Sequence, residues 1–336
     1  MNSATKASSG LQGACGPGDP SECLRLGISS CLLGQEVRFV GGLKRDRFLT
    51  DTLGQYVSWV PVCPEVEIGL GTPRPTIRLE ETSEGVRLVM PSTGDDLTGT
   101  MREYSVDRVR RLEKHGLAGY VLTKDSPSCG MERVKVRDRN DVPARTGVGV
   151  YAAELLRLAP DLPVEEEGRL NDPRLRENFI TRIFAYQRWL DLVGAGPTRR
   201  SLMEYHAAHK YVLMSRNQAG MRRLGKLLGE ATKDAPVNRL AEEYQTGMTA
   251  VMRRVPTRKG HTNVLRHMAG YVSDLMDSDD RAELTEAIGQ YHAGLLPLIV
   301  PITLLRHYVR KFDVETLQNQ VYLWPHPHEM MLLNHV

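Results

Sequence analysis

The sequence has no long apolar run, and this absence excludes a membrane-spanning helix. Its longest hydrophobic stretch, residues 295–305, contains two prolines and is shorter than the roughly 20 residues that cross a bilayer. The first 23 residues also lack the apolar core of a secretory signal. We therefore expect a cytoplasmic chain with no membrane partner.

Cysteine is scarce and irregularly spaced. The five cysteines include no C-x-x-C pair, which excludes a zinc ribbon. In a reducing compartment, isolated thiols are metal ligands or catalytic groups before they are disulfides. Residues 1–22 are rich in Gly, Ser and Pro and are predicted to form a flexible tail that contains Cys15. Cys23, at the border of this tail, is also interpreted as a tail residue and not as a ligand.

Neither sign of charge dominates the chain, but its two halves differ. The 336 residues include 44 basic and 41 acidic side chains, and this length and balance are typical of two globular domains. Residues 1–168 carry 21 basic and 24 acidic side chains, whereas residues 169–336 carry 23 and 17. No internal repeat indicates a solenoid. We predict an N-terminal domain over 23–168 and a C-terminal domain over 169–336.

Short apolar runs alternate with helical periodicity in the first of these domains. The pattern predicts strands at 24–30, 59–62, 118–123 and 162–165, two strand-like pieces within 74–90, and helices at 45–57, 100–115 and 147–158. This alternation indicates an α/β domain with a parallel, Rossmann-like sheet. After residue 167 only helical segments follow, with breaks near 194–197, 216–220, 234–236, 255–260, 278 and 292–301, and they predict an all-α domain.

Three cysteines follow predicted strands. Cys31, Cys63 and Cys129 each lie at or just beyond a strand end, where the loops of an open α/β sheet line one crevice. Soft thiolates favour an iron–sulfur cluster or zinc. Three thiolates on either metal leave one coordination position open. The alternative is that they are buried apolar cysteines without ligands.

Polar side chains accompany these thiols. Glu65 is a candidate general acid or base, and Ser126 and Ser128 offer hydroxyls to a substrate oxygen or to water. Arg74 is suited to an anionic or carbonyl group. The alternatives are a helix-start carboxylate for Glu65, turn-capping hydroxyls for the serines and a simple ion pair for the arginine.

Four segments together resemble the thiouracil desulfidase family. They are SSCLLG at 29–34, VCPEVEIGLGTPRP at 62–75, TGDDLT at 93–98 and SPSCG at 126–130, and the resemblance covers about residues 24–168. The sequence departs from the usual pattern at Val40, where an acidic residue is common, and at Leu43, where His is frequent.

The resemblance implies a 4Fe–4S cluster held by Cys31, Cys63 and Cys129, with the open iron taking the thiocarbonyl sulfur of a thiolated pyrimidine. Water then replaces that sulfur without net redox change, giving the oxo base and sulfide. By motif position, Glu65 is the acid or base, and Ser126 is a positioning or proton-relay group. The candidate substrate pocket adds Ser30, Arg74 and Ser128.

The C-terminal half resembles the helical domain that is fused to a subset of these desulfidases. The resemblance rests on SLMEYHAAHKY at 201–211 and YLWPHPHEMML at 322–332, and it implies action on 4-thiouridine within tRNA. Residues 199–266 carry 14 basic and 5 acidic side chains, which suits phosphate contact. The candidate tRNA contacts are Arg199, Arg200, Lys210, Arg222, Arg223, Lys226, Arg253, Arg254, Arg258 and Lys259. The aromatic and imidazole groups offered for stacking on nucleotides or hydrogen bonding to them are Tyr205, His206, His209, Tyr211 and His261.

Other functions fit the same residues. One alternative is the same chemistry on free thiouracil or thiouridine nucleotides, with the helical half serving assembly or a protein partner. A second alternative is a non-catalytic zinc–thiolate module joined to an RNA-binding domain. For the basic surface, the alternative is the solvated face of a helical bundle. The favoured hypothesis is a tRNA 4-thiouridine desulfidase.

Overall fold

The computed structural model describes residues 24–37, 44–232 and 234–325. The predicted tail, Cys15, Cys23, Val40 and Leu43 lie outside this part of the chain. The protein separates into two compact units, Met1–Leu158 and Ala159–Val336, so the division comes earlier than the boundary expected from the sequence. The reason is local, because Asp161 Oδ1 accepts a hydrogen bond of 2.6 Å from Thr249 Oγ1 in the helical unit.

The strands of the described residues are β1 (Leu24–Ser29), β2 (Val57–Val62), β3 (Arg78–Thr82), β4 (Gly85–Met90), β5 (Asp95–Asp96), β6 (Gly119–Leu122), β7 (Val134–Arg137), β8 (Pro143–Gly147) and β9 (Val164–Glu166). The helices of the first unit are α1 (Pro64–Glu67), α2 (Thr98–Glu113) and α3 (Val150–Leu158). The helix expected at 45–57 is instead a π-turn, Phe48–Thr52, followed by a 3-10 turn, Leu53–Gln55.

A parallel sheet forms the centre of the first unit, as predicted. Strand β1 lies between β2 and β6, and both neighbours run parallel to it. Its apolar residues are almost completely buried, which is typical of a parallel sheet covered on both faces. In the register, Ser29 is opposite Val62. The carboxyl ends of β1 and β2 therefore end at the same level.

A second, mixed sheet was only half predicted. Its order is β5-β4-β3-β7-β8, with β3 and β7 parallel and the other neighbours antiparallel. The β3–β4 hairpin turns at Gly85, whose φ of 110° is in the region that favours glycine, and this hairpin was expected from the sequence. Strands β7 and β8 were not expected.

The second unit is helical, as predicted. Its helices are α4 (Pro173–Gly194), α5 (Arg199–Glu230), α6 (Val237–Met252), α7 (Arg258–Val272), α8 (Ser278–Ala293), α9 (Ile299–Lys311) and α10 (Glu315–Gln318). Asp172 caps α4, because its carboxylate accepts hydrogen bonds from the N–H groups of Arg174 and Leu175. No described helix is long and apolar enough to cross a membrane.

Two details of the helical unit differ from the sequence pattern. The break expected near 216–220 is a kink inside α5, where Asn217 alone has non-helical φ and ψ angles. The helical pattern of α4 predicts burial of Leu175, Phe179, Ile183, Phe184 and Leu190, of which Phe179 and Ile183 are buried and the other three are partly exposed. The largest buried side chain of the helix is Trp189, which the pattern did not single out. Its indole stacks on Tyr244 with ring centroids 5.3 Å apart. The indole Nε1 also donates to Gln245, so the tryptophan is satisfied inside the core.

Candidate functional site

The loops after β1, β2 and β6 bring three cysteines to one cavity. Cys31, Cys63 and Cys129 all line this space, whose volume is about 390 Å³. Cys31 and Cys63 are partly exposed, whereas Cys129 is buried. This is the crevice beyond the carboxyl ends of parallel strands, where α/β folds bind their ligands.

The backbone at Cys31 and at Cys63 is fixed by different means. Cys31 lies in a 3-10 turn, Ser30–Leu33, and its carbonyl accepts hydrogen bonds from the N–H groups of Gly34 and Lys44, both at 3.2 Å. Cys63 is the N-cap of α1, and its N–H donates to Glu67 Oε1 at 3.2 Å. Hydrogen bonds to the backbone of Cys31 and of Cys63 therefore hold each thiol in position.

The Glu67 side chain extends the support of Cys63 to a neighbouring helix. Its Oε2 atom accepts a hydrogen bond from Tyr104 Oη at 2.7 Å and forms an ion pair with Arg108, whose Nε atom is 3.0 Å away; both residues are in α2. Glu67 was not among the residues predicted from the sequence.

The loop of Cys129 depends on a close approach by Gly149. A Cβ atom at Gly149 would lie 2.5 Å from the Ser128 carbonyl oxygen and 2.8 Å from Cys129 N. The Gly149 N–H also donates to the Gly130 carbonyl at 2.8 Å. Only glycine permits this contact, so the start of α3 holds the cysteine loop in place. The sequence analysis missed Gly149.

Glu65 is the centre of a hydrogen-bonded group in the cavity. Its Oε2 atom accepts from Arg74, at 2.9 Å from Nε and also from Nη2, and its Oε1 atom accepts from Ser128 Oγ at 2.5 Å. Ser128 Oγ is 2.9 Å from Ser126 Oγ, so three oxygen-bearing side chains are linked in series. The structure thus brings the predicted Glu65, Ser126, Ser128 and Arg74 together.

Arg74 is occupied by this group rather than open to a ligand. Its Nη1 atom donates to the carbonyl oxygens of Val37, at 2.8 Å, and Gly71, at 2.9 Å, and its side chain is buried. With the two bonds to Glu65, four of the five guanidinium N–H groups are used. Arg74 therefore orients Glu65 and the loop that carries Val37.

The environment opposes ionisation of two thiols in the absence of a metal. Burial raises the pKa of the Cys63 thiol, and the nearby Glu65 carboxylate adds to the rise. The pKa of the Cys129 thiol is raised well above its ordinary value by burial first, and then by Glu65, Cys63 and Cys31. These mutual effects show that the three sulfur atoms share one electrostatic environment.

The donor set suits an iron–sulfur group. By their chemistry, the three thiols that line the cavity are the soft ligands that an iron–sulfur cluster or zinc prefers. Their arrangement does not form a site for a single metal ion, since no group of three or more His, Cys, Asp or Glu side chains among the described residues is placed to hold one.

Further polar groups line the cavity. Ser30 is there, as predicted, and is buried beside Cys31. Lys44 and Lys124 also line it and were not predicted, although Lys124 comes directly after a strand end. Lys44 Nζ donates to Thr123 Oγ1 at 3.2 Å. Two lysines give this cavity a cationic component.

Eight of the ten predicted basic residues of the helical unit are exposed. They are Arg200, Arg222, Arg223, Lys226, Arg253, Arg254, Arg258 and Lys259. Arg223 and Arg254 line one groove of about 370 Å³ together with residues of α5 and α6. Arg200 pairs with Glu204 at 2.7 Å. Lys226 Nζ lies 3.6 Å from Glu230, which neutralises part of the surface.

The other two basic residues have contacts inside the unit. The Arg199 guanidinium donates to the carbonyl oxygens of Ala231, at 3.1 Å, and Ala235, at 3.0 Å. These bonds give hydrogen-bond donors to backbone carbonyl groups that follow the end of α5. Lys210 Nζ lies 4.7 Å from the ring centroid of Tyr211, a cation–π distance. The structure gives Arg199 a structural role that the sequence did not predict.

The prediction that aromatic and imidazole groups of the helical unit stack on nucleotides is wrong for four of the five. The buried ones are Tyr205, His209, Tyr211 and His261. Tyr205 and His209 stack on one another with centroids 3.9 Å apart, so they pack the core. His206 is half-buried, and its Nδ1 atom is 3.0 Å from Tyr244 Oη. The helical spacing of these tyrosines and histidines did not show whether they lie on the buried or the exposed face of their helices.

The fold and the cavity together define a class of protein: an α/β unit whose strand-end cysteines face a polar site built around one carboxylate. Comparison with known proteins adds the family. A family model described as 2-thiouracil desulfurase matches residues 26–167, and one described as a protein of unknown function, DUF1722, matches residues 210–327. Residues 26–167 thus match the thiouracil desulfidase family, in agreement with the resemblance seen in the sequence.

Two individual proteins are similar to the chain. The uncharacterized protein YbgA of Escherichia coli (strain K12) is 29% identical over 158 residues, which are 46% of this chain and 94% of YbgA. Among solved structures, the 4Fe-4S-dependent thiouracil desulfidase TudS shares 30% sequence identity, and the match covers 44% of this chain and 93% of TudS. The TM-score of that match is 0.36.

Proposed function

We propose that the protein removes sulfur from 4-thiouridine in tRNA, giving uridine and sulfide. One water molecule supplies the oxygen that replaces sulfur on the ring carbon, and its two protons leave with the sulfide. The C–S bond breaks, the C–O bond forms and no electron is gained or lost. The proposal extends the activity named for the matched family, desulfuration of 2-thiouracil, to a base within RNA.

The proposed cofactor is a 4Fe–4S cluster, held by Cys31, Cys63 and Cys129. In support, the similar protein TudS is a 4Fe-4S-dependent desulfidase, and the three thiols of this chain line one cavity. When bound, a cluster with one open iron supplies a Lewis acid for a soft thiocarbonyl sulfur. The protein contributes a confined cavity and the acid–base groups around it.

The observation that carries the proposal is the hydrogen-bonded series from Glu65 to Ser126. Ser128 Oγ donates to Glu65 at 2.5 Å and is 2.9 Å from Ser126 Oγ. A water beside Ser126 can pass a proton along these hydroxyls to the carboxylate as it attacks. The same path returns the proton to the departing sulfide, while the Arg74 guanidinium keeps Glu65 in place.

The proposed tRNA contact is the exposed basic surface of the helical unit. Arg223 and Arg254 share a groove, and Arg222, Arg258 and Lys259 are exposed as well. Such cations bind the phosphate backbone without reading sequence. The thiolated base must leave its stack to enter a cavity in the first unit.

The experiment that tests the catalytic role uses the variant Glu65→Gln in cluster-reconstituted protein. The amide keeps the shape of the side chain but accepts no proton, so sulfide release should fall by about 10²-fold or more. Iron content and the visible cluster absorbance should stay at the wild-type level. The matched control is Glu84→Gln, an exposed carboxylate on the β3–β4 turn. Full activity of Glu65→Gln would contradict the proposal.

A second candidate function is desulfuration of free thiouracil or thiouridine nucleotides. It is favoured by the position of the site, because every residue lining the cysteine cavity belongs to the first unit. In that case charge reversals in the helical unit would leave turnover of small substrates and of tRNA equally unaffected. A zinc-loaded, inactive protein would instead support a non-catalytic thiolate module.

A further inference from the structure

A second cavity lies within the helical unit, and the proposed desulfuration gives it no role. Its volume is about 450 Å³, within the range of small-molecule sites. Its walls come from the first turns of α4 and α7, the last turn of α8 and the segment before α9. The residues that matter to the argument are Arg174, Glu177, Arg258, His261, Tyr291 and Leu298.

Two cationic side chains line this cavity. Arg174 is in the first turn of α4 and Arg258 is the first residue of α7, and both are exposed. The Glu177 carboxyl lines the same cavity, and the charge of Arg174 acts to lower its pKa against the larger effect of burial. Helix N-termini carry partial positive charge, which adds to that of the two side chains. The mouth of the cavity therefore attracts an anion.

The guanidinium of Arg258 is held in a defined position. A Cβ atom at Gly294 would lie 2.3 Å from Arg258 Nη1, so the planar group rests against the chain just after α8. Gly294 has a φ of 82° and ends that helix. The close packing limits the conformers of this long side chain, and its head group stays beside the cavity.

The inner wall offers polar groups and apolar surface. Glu177 and His261 are each 8% exposed, and His261 Nδ1 is 2.8 Å from Tyr322 Oη, which orients the imidazole. Burial raises the pKa of Glu177 to about 7, so near neutral pH its carboxyl can donate as well as accept a hydrogen bond. Tyr291 and Leu298 add buried aromatic and aliphatic surface.

We propose that this cavity binds a nucleoside phosphate, either a free nucleotide or the terminal nucleotide of an RNA strand. Arg174 and Arg258 hold the phosphate at the mouth, where bidentate guanidinium contacts suit its oxygens. The base lies against Tyr291 and Leu298, and its polar edge meets Glu177 and His261. This site goes beyond the proposed desulfuration and is independent of the cysteine cavity.

Calorimetric titration of the full chain tests the proposal. The probes are UMP, CMP, AMP and GMP, with inorganic phosphate and the unphosphorylated nucleosides as comparisons. At least one monophosphate should bind with one-to-one stoichiometry, and at least tenfold more tightly than its nucleoside or phosphate alone. Arg174→Ala and Arg258→Ala should each weaken that binding at least tenfold. Binding by phosphate with no gain from the nucleoside would overturn the proposal.

A control variant separates this site from the rest of the molecule. Arg266→Ala removes an exposed arginine of α7 that does not line the cavity, and it should bind the nucleotide as the wild type does. Glu177→Gln should change the ratio of affinities among the four bases. Circular dichroism checks that the arginine variants are folded. Binding that is unchanged in both arginine variants would overturn the assignment.

A competition measurement distinguishes the two sources of the nucleotide. A short RNA with a terminal phosphate is compared with the same RNA closed into a circle. Displacement of the bound monophosphate by the linear RNA alone supports an RNA end as the occupant. Binding of the free monophosphate without displacement by either RNA supports a free nucleotide. Absence of binding by all of these probes at millimolar concentration would contradict the proposal.

Discussion

At the scale of single residues, the site depends on how one carboxylate is held. Arg74 bonds one oxygen of Glu65 and Ser128 the other, so both oxygens have fixed partners inside the cavity. The sequence predicted that Glu65, Ser126 and Ser128 lie in one site, because each is within three residues of a strand-end cysteine. It did not predict that Arg74 donates hydrogen bonds to Glu65. The two residues are joined by a loop, and the spacing of residues in the sequence does not define the path of that loop.

His209 provides a residue-scale test of the helical core. It is 3% exposed, and burial lowers its pKa to about 3. The folded state keeps the imidazole neutral, whereas the unfolded state takes up a proton below its ordinary pKa of 6.5. The free energy of unfolding therefore falls as pH falls from about 6.5 towards 3. Between pH 6.5 and pH 5 this single group contributes a loss of about 2 kcal/mol.

His209→Phe should remove that pH dependence while keeping the ring on Tyr205. Denaturant unfolding at pH 6.5 and pH 5 measures the difference, and the variant should lose less stability on acidification than the wild type. Glu177, whose pKa is raised to about 7, acts in the opposite direction but is common to both proteins. His115→Gln, an exposed histidine of the first unit, is the control. Equal acid sensitivity in His209→Phe and wild type would contradict this account.

At the scale of elements, parallel strands explain why distant cysteines meet. Strands β1, β2 and β6 were predictable because each is a short, mostly apolar run, and their ends follow from the parallel arrangement. Strand β7 carries a weaker signal, in which Val134 and Val136 are buried and Lys135 is exposed. Four of the five residues of strand β8 are exposed, so no apolar run marks this segment as a strand in the sequence. It is a strand because it pairs with β7, and a sequence pattern does not show that pairing.

The start of α3 supplies the element-scale prediction. Gly149→Ala places a methyl group 2.5 Å from the Ser128 carbonyl, and because the contact is with backbone the cysteine loop must shift. We expect the iron content after reconstitution to fall and sulfide release to drop by about 10²-fold. Gly99→Ala, at a helical glycine with no atom near its Cβ position, should keep both. Wild-type activity in Gly149→Ala would show that this contact does not position Cys129.

At the scale of the whole molecule, the two units carry different chemistry. The thiols and their carboxylate lie in the first unit, and the exposed basic groove lies in the second. The sequence predicted this division from charge and from the loss of strand pattern after residue 167. It did not predict which histidines and tyrosines are core, because buried and exposed faces of a helix share the same spacing.

The charge reversal Arg223→Glu with Arg254→Glu tests the groove of the helical unit. Both arginines are exposed and line the same space, so the pair should weaken tRNA binding and flatten its salt dependence. Turnover of a free thiolated nucleotide should stay unchanged. Arg239→Glu with Arg266→Glu makes the same charge change at exposed positions outside the groove, and it should have a smaller effect. Equal losses in both double variants would indicate a general charge effect.

The most direct test of the central claim compares substrates in cluster-reconstituted protein kept free of oxygen. Transfer RNA containing 4-thiouridine, 4-thiouridine monophosphate and 4-thiouracil are each followed by loss of thiocarbonyl absorbance and by sulfide release. The account predicts that kcat/KM is highest for the tRNA and that one sulfide appears for each thiocarbonyl lost. Turnover of the small substrates alone would contradict the tRNA assignment, and a zinc-bound protein that turns over none of the three would contradict the desulfidase function.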